Sequence, residues 1–247
     1  MIDYSKIASD YATHRRIHPG VLNGLISDGR LGNSSRVLEV GCGTGNYIAT
    51  LNQVVNCQSY GIDRSQEMLT VAKERFPFLT FQLGRAEKLD FGNGYFDLVF
   101  SVDVIHHIAE RSSYFREAHR VLKHGGRVCT VTESEWMLRN RRPQSAYFPE
   151  TVAVELRRYP AISEMKLLMR EAGFSEIIDK MVELRYDLTD LESYRRKVLS
   201  SLLLLSEEDF QRGLILMEKD LAKGPIPGVL RYALVWGTNV MDLSQKQ

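Results

Sequence analysis

The stretch VLEVGCGTGNYIATL, residues 37–51, decides the fold. An apolar run breaks into Gly41, Gly43 and Gly45, and a helix-compatible run follows. That order reads as strand, tight loop and helix. Three alternating glycines are more than a turn needs. They suit a backbone that lies close against a ligand at the carboxyl end of a strand.

Outward from this loop, short apolar runs alternate with helical patterns, which argues for an α/β fold with a parallel sheet and crossover helices. Strands are expected at 36–40, 57–62, 80–83, 96–101 and 127–132. Helices are expected at 45–54, from the cap Ser65 to Pro77, and at 112–122, the last stopped by HGG at 124–126. Residues 133–160 read as a long excursion over the sheet. A helix at 163–172 and a strand at 175–184 follow. Two helical patterns occupy 188–222, with Ser206 opening the second. GPIPG at 224–228 reads as a loop, and 229–238 as a last strand free to run antiparallel to the one before it.

The 247 residues are 44% apolar and 26% charged, with a net charge of +1. This is no polybasic nucleic-acid or membrane binder. No apolar run approaches the ~18 residues that cross a bilayer, and MIDYSKIASDY lacks the order of a signal peptide. Cys42, Cys57 and Cys129 cannot all pair and show no metal spacing. The expectation is a reduced, cytoplasmic protein, without metal, acting as a monomer or homodimer.

The loop also limits its ligand. A dinucleotide loop places its third glycine where this chain has Asn46. Glu39, two residues before Gly41, would repel a pyrophosphate and favour a cation. S-adenosylmethionine, with its sulfonium and ammonium, fits. Asp63, at the end of the second strand, reads as a ligand for ribose hydroxyls or as a cap for the next helix; Ser65 is available as that cap. GRAEKLDF (84–91) is placed to meet an adenine edge. FDLVFSVDVIHHI (96–108) is a buried strand running into a histidine-bearing turn.

Together VLEVGCGTG, GID, RAEKLDF, YFDLVFSVDVIHHI and REAHRVLKHGGRV resemble class I S-adenosylmethionine-dependent methyltransferases, in the group of ubiquinone/menaquinone-type and small-molecule enzymes. The resemblance covers residues 35–132. It implies a doubly wound, Rossmann-like sheet of seven mostly parallel strands, strand 7 antiparallel beside strand 5, with helical insertions as a substrate lid. It implies one domain over 1–247: a lead-in at 1–30, a cofactor core at 33–132, and lid segments at 133–160 and 186–228. Glu39, Gly41, Cys42, Gly43 and Gly45 would hold the methionine part, and Asp63 the ribose. Arg64 and Met68 would lie along the adenine, with Ala86 and Glu87 at its edge and Ser101 near the methionine amine. Many relatives carry Asp where this chain has Arg85, which cannot accept the adenine amino hydrogen bond. The stretch IASDYATHRRIHPGVL (7–22) resembles a lead-in whose Tyr11 and Arg15 would meet the cofactor carboxylate; Tyr4, Ile7 and Tyr11 equally suit the packed face of a helix.

Methyl transfer to a small-molecule acceptor follows as the expected activity, by in-line displacement. Such a site mainly aligns the acceptor and excludes water. His106 and His107 are candidate bases, or packing groups of their turn. Asp103 would bind a cationic acceptor or cap the turn, and Tyr4 would line the methyl channel. Trp136, Arg139 and Tyr147, in a stretch rich in arginines and aromatics, would bind an anionic or planar substrate, or else belong to a solvated loop. The alternatives are an RNA or protein methyltransferase, or a non-catalytic S-adenosylmethionine-binding protein. Against the first, no N-P-P-Y or D-P-P-Y motif follows the fourth strand.

Overall fold

The structure is a computed structural model that describes residues 12–13 and 17–240. Seven strands, β1 (Arg36–Val40), β2 (Gln58–Asp63), β3 (Thr80–Leu83), β4 (Phe96–Val102), β5 (Leu122–Thr132), β6 (Ser175–Leu188) and β7 (Ile226–Thr238), form one sheet. Their order is β3-β2-β1-β4-β5-β7-β6. The first five are parallel, and β7 runs antiparallel to both β5 and β6. The chain winds outward from β1 through β3, then returns to lay β4 on the other side of β1. That reversal opens a crevice at the carboxyl ends of β1 and β4.

Parallel neighbours require crossovers. Helices α2 (Asn46–Val55), α3 (Gln66–Arg75) and α4 (Arg111–Val121) supply those after β1, β2 and β4, and α1 (Pro19–Ser27) precedes β1. Side-chain alternation along the strands divides the core. Leu38, Val99 and Tyr114 pack on one face, and Val37, Leu98, Phe100 and Trp236 on the other. Ser65 caps α3 as its position suggested, accepting the Met68 amide at 3.2 Å.

The glycine stop for α4 is corrected. The helix ends at Val121, before HGG, and Leu122 already pairs with Phe96. Asn239 Nδ2 donates to the carbonyls of His119 and Leu122 at 3.2 and 2.9 Å, so a side chain from beyond β7 satisfies the helix end.

Between β5 and β6 the chain forms α5 (Glu135–Arg139), α6 (Gln144–Tyr147), α7 (Glu150–Leu156) and α8 (Ile162–Glu171). The excursion is thus a set of short helices. Between β6 and β7, the first expected helix is only the four-residue α9 (Glu192–Arg195) and a 3-10 turn at Leu202–Leu204; α10 (Glu207–Leu221) is the second, capped by Ser206. Phe148, Leu202, Phe210 and Met217 knit these segments into a third apolar cluster. GPIPG is not wholly a loop, since Ile226, Pro227 and Gly228 pair with Leu188, Asp187 and Tyr186. The Tyr186 ring lies where a Cβ on residue 228 would meet it at 2.3 Å. No helix among the described residues is long and apolar enough to cross a membrane.

Candidate active site

The loop after β1 holds Gly41, Gly43 and Gly45 at φ of 71°, 52° and 80°, a region that favours glycine. A Cβ on Gly41 would sit 2.5 Å from Val104. The amides of Gly41 and Cys42 donate to the Ile62 carbonyl at 2.8 and 2.9 Å, which ties the loop to β2. Asp63 finishes the arrangement. Its Oδ2 accepts the Gly43 amide at 2.8 Å and its Oδ1 the Ser65 amide at 2.9 Å. Burial raises the Asp63 pKa against these two hydrogen bonds.

A cavity of about 180 Å³ opens above this loop. Of the residues expected at a cofactor, Gly41, Gly43, Asp63, Arg64, Met68, Ala86 and Glu87 line it. Glu39, Cys42, Gly45 and Ser101 do not. Glu39 is buried and accepts the Ile48 amide at 2.9 Å, so its carboxylate faces the positive end of α2. Burial drives its pKa well up, and nearby Asp63 adds to this. Cys42 packs its thiol on β2, where a Cβ at Gly61 would meet Sγ at 2.8 Å. Gly45 caps α2 beneath the Phe81 ring. Ser101 is fully buried and accepts the Tyr114 hydroxyl at 3.2 Å. The Arg85 side chain is exposed and lies 3.7 Å from Glu87. Tyr4, Tyr11 and Arg15 lie outside the described residues.

A second cavity, of about 300 Å³, adjoins the first, and Asp103 and His107 line both. Asp103 stands at the end of β4 with φ of 56°, a strained setting for a non-glycine residue. Its Oδ2 accepts the Tyr232 hydroxyl at 2.7 Å. His106 and His107 occupy a 3-10 turn (Ile105–His107). His106 stacks on Tyr159 at 4.1 Å. Burial, then the charges of Arg158 and Arg64, lowers the His107 pKa to about 4. His107 is therefore neutral at neutral pH.

The floor of this cavity is an ion triad. Arg141 binds both oxygens of Glu133, the Nε–Oε1 bond at 2.9 Å, and both oxygens of Glu155 at 3.1 and 3.0 Å. It also donates to Gln144 at 2.9 Å. One guanidinium between two carboxylates, with Asp103 nearby, does not offset the burial of Glu133, whose pKa rises to about 7.

Trp136, Arg139 and Tyr147 do not reach either cavity. Helix α5 buries Met137 and Leu138, which turns their neighbours outward. Trp136 is 55% exposed beneath Arg231, and Arg139 pairs with Glu135 at 2.8 Å. Tyr147 donates to Asp220 at 2.9 Å. Glu133, Glu155, Tyr159, Tyr186 and Tyr232 were missed in the sequence. Only Arg141 carried a signal, as part of the arginine-rich stretch, and there it suited a solvated loop equally well.

The family described as "Methyltransferase domain" matches residues 38–130. A demethylmenaquinone methyltransferase of Staphylococcus epidermidis is 30% identical over 58% of this chain and 69% of its own. Phosphoethanolamine N-methyltransferase 3 of Arabidopsis thaliana is 27% identical over 71% of this chain. The chain spans only 36% of that relative's length. Among solved structures, Haemonchus contortus phosphoethanolamine N-methyltransferase 2, in complex with phosphomonomethylethanolamine and S-adenosylhomocysteine, matches 90% of this chain and 53% of its own at 20% identity, with a TM-score of 0.59. That likeness is one of fold.

Proposed function

The chain belongs to the class I S-adenosylmethionine-dependent methyltransferases, and we propose that it transfers a methyl group from S-adenosylmethionine to a small-molecule acceptor. The observation that carries this is the meeting of two cavities at Asp103 and His107. The smaller fits the cofactor. Gly41 and Gly43 line it, and each Asp63 oxygen keeps a lone pair beyond the one its amide occupies. When bound there, the cofactor supplies a methyl group activated by its sulfonium.

The chain's own part is alignment and exclusion of water. Glu39, Cys42 and Gly45 act indirectly, by holding the loop and α2 in place. In the larger cavity, His107 is neutral and accepts a hydrogen bond from an acceptor more readily than it takes a proton. His106 faces the acceptor side alone. The cover combines residues of 133–160, among them Arg141 and Glu155, with residues of 186–228, among them Tyr186 and Tyr194. A volume of about 300 Å³ suits a small molecule rather than a polymer. Relatives named for demethylmenaquinone and phosphoethanolamine support the same class of acceptor.

Calorimetric titration with S-adenosylhomocysteine, with NAD run alongside, tests this reading. Micromolar binding of the former alone is expected. Binding of NAD alone, or of neither, would overturn it.

A further inference from the structure

We propose that β6 is the seam of a homodimer, pairing antiparallel with β6 of a second copy of this chain so that one sheet runs across both. Among the described residues β6 closes the sheet, with β7 beside it on one side only. It has 14 residues, where the opposite edge, β3, has 4. Short or kinked edges resist pairing with another chain, and long regular ones invite it. The irregularity of β6 lies between Ser175 and Ile178; from Ile178 to Leu188 it matches β7 residue for residue. Ile178 and Met181 are 42% and 57% exposed, so apolar surface flanks the open ladder on both faces of the sheet. The same strand walls the larger cavity through Leu184, Tyr186 and Leu188.

Which backbone groups of β6 face outward follows from β7. The Val229 amide donates to the Arg142 carbonyl at 2.9 Å and the Asn239 amide to the Gly126 carbonyl at 2.8 Å, both away from β6. Odd-numbered residues of β7 therefore face away from β6, and even-numbered ones face it. Tyr232 lies opposite Val182 and Leu234 opposite Lys180, so the even-numbered residues of β6 bond to β7. Asp179, Met181, Glu183 and Arg185 turn their amides and carbonyls outward, and their side chains are exposed. A two-fold seam must match these residues with one another. Centred on Met181, it sets Asp179 against Glu183; centred on Glu183, it sets Asp179 against Asp187. Like charges directly opposite are destabilising. Centred on Leu184, it leaves Ile178 uncovered. Centred on Val182, it sets Asp179 against Arg185 at both ends, Met181 against Glu183 and Ile178 against Tyr186, which covers both exposed apolar side chains. Lys166 meets Oδ1 of Asp179, and Arg185 bonds Glu183 through Nε at 2.9 Å. Oδ2 and the terminal guanidinium nitrogens are left for the second copy.

The test is sedimentation velocity on the full chain at about 100 μM, where a dimer is expected. Met181→Pro deletes an amide that points out of the sheet, so the chain should fold and sediment as a monomer. Asp179→Arg sets like charges against each other at both ends of the seam and should weaken the dimer about tenfold or more. Adding Arg185→Asp to Asp179→Arg exchanges the two charges and should restore the affinity. Circular-dichroism melting checks that each variant is folded; should Met181→Pro not fold, the charge pair decides alone. A monomeric wild type, a dimer unchanged in folded Met181→Pro or in Asp179→Arg, or a double variant as weak as Asp179→Arg overturns the inference.

Discussion

Arg141→Met removes the single cation between two buried carboxylates. The Glu133 and Glu155 side chains are 4% and 5% exposed, so water cannot replace the lost partner. Breaking a buried pair from one side costs about 3–5 kcal/mol. In a chain of 247 residues, about 2–4 °C of melting temperature accompanies each kcal/mol, so the fall should be on the order of 10 °C. The loss should also depend on pH. Glu133 already titrates at about 7 in the folded protein, above its ordinary value of 4.5. A carboxyl raised on folding binds extra protons in the folded state, so its contribution is fully present below the unfolded pKa. That contribution is lost as pH rises through the folded pKa. Without Arg141 the folded pKa rises further, and the window extends upward. Circular-dichroism melting of both proteins at about pH 5.5 and about pH 8 checks this. The variant's deficit should be large at the higher pH and clearly smaller at the lower. A deficit under about 2 °C at the higher pH, or one equal at both, would refute the account of a buried triad.

Asp63→Ala should weaken S-adenosylhomocysteine binding by at least about tenfold, or about 1.4 kcal/mol, since the Gly43 and Ser65 amides lose their acceptor; wild-type affinity by calorimetry would remove Asp63 from the site. Gly41→Ala forces a Cβ into a left-handed backbone 2.5 Å from Val104, and the backbone alone should cost on the order of 1–2 kcal/mol in urea unfolding. An unshifted midpoint would mean the loop has room to spare. His107, lowered to about 4, should show no imidazole protonation by NMR near neutrality. The stability it contributes is present above the unfolded pKa and lost as pH falls through about 4; a midpoint near 6.5 would place the ring in water instead.

The sequence by itself determined the glycine loop and the strands and helices around it. Its strands at 36–40 and 80–83 are observed with the boundaries their patterns suggest, and Ser65 and Ser206 cap the helices they precede. These are local facts: apolar alternation, a cap hydrogen bond within one turn, and glycines whose backbone angles are their own. Gly41, Gly43 and Asp63 meet because a short loop and the end of the adjacent strand are joined by a parallel register of few residues. Glu39 was read as a carboxylate facing the cofactor, and the structure sets one of its oxygens on the Ile48 amide at the start of α2. Whether it faces the cavity or the start of α2 depends on how the helix packs back on the sheet. The larger cavity was decided only by tertiary structure. Arg141 reads like any loop arginine until folding buries it between Glu133 and Glu155, 8 and 14 residues away. Trp136 looks like a ligand platform until α5 turns Met137 and Leu138 inward. Asp103 and Tyr232 are 129 residues apart and touch only because β7 inserts beside β5. Burial converts such groups from solvated charges into the lining of a cavity, and burial is a property of the packed whole rather than of any window of sequence.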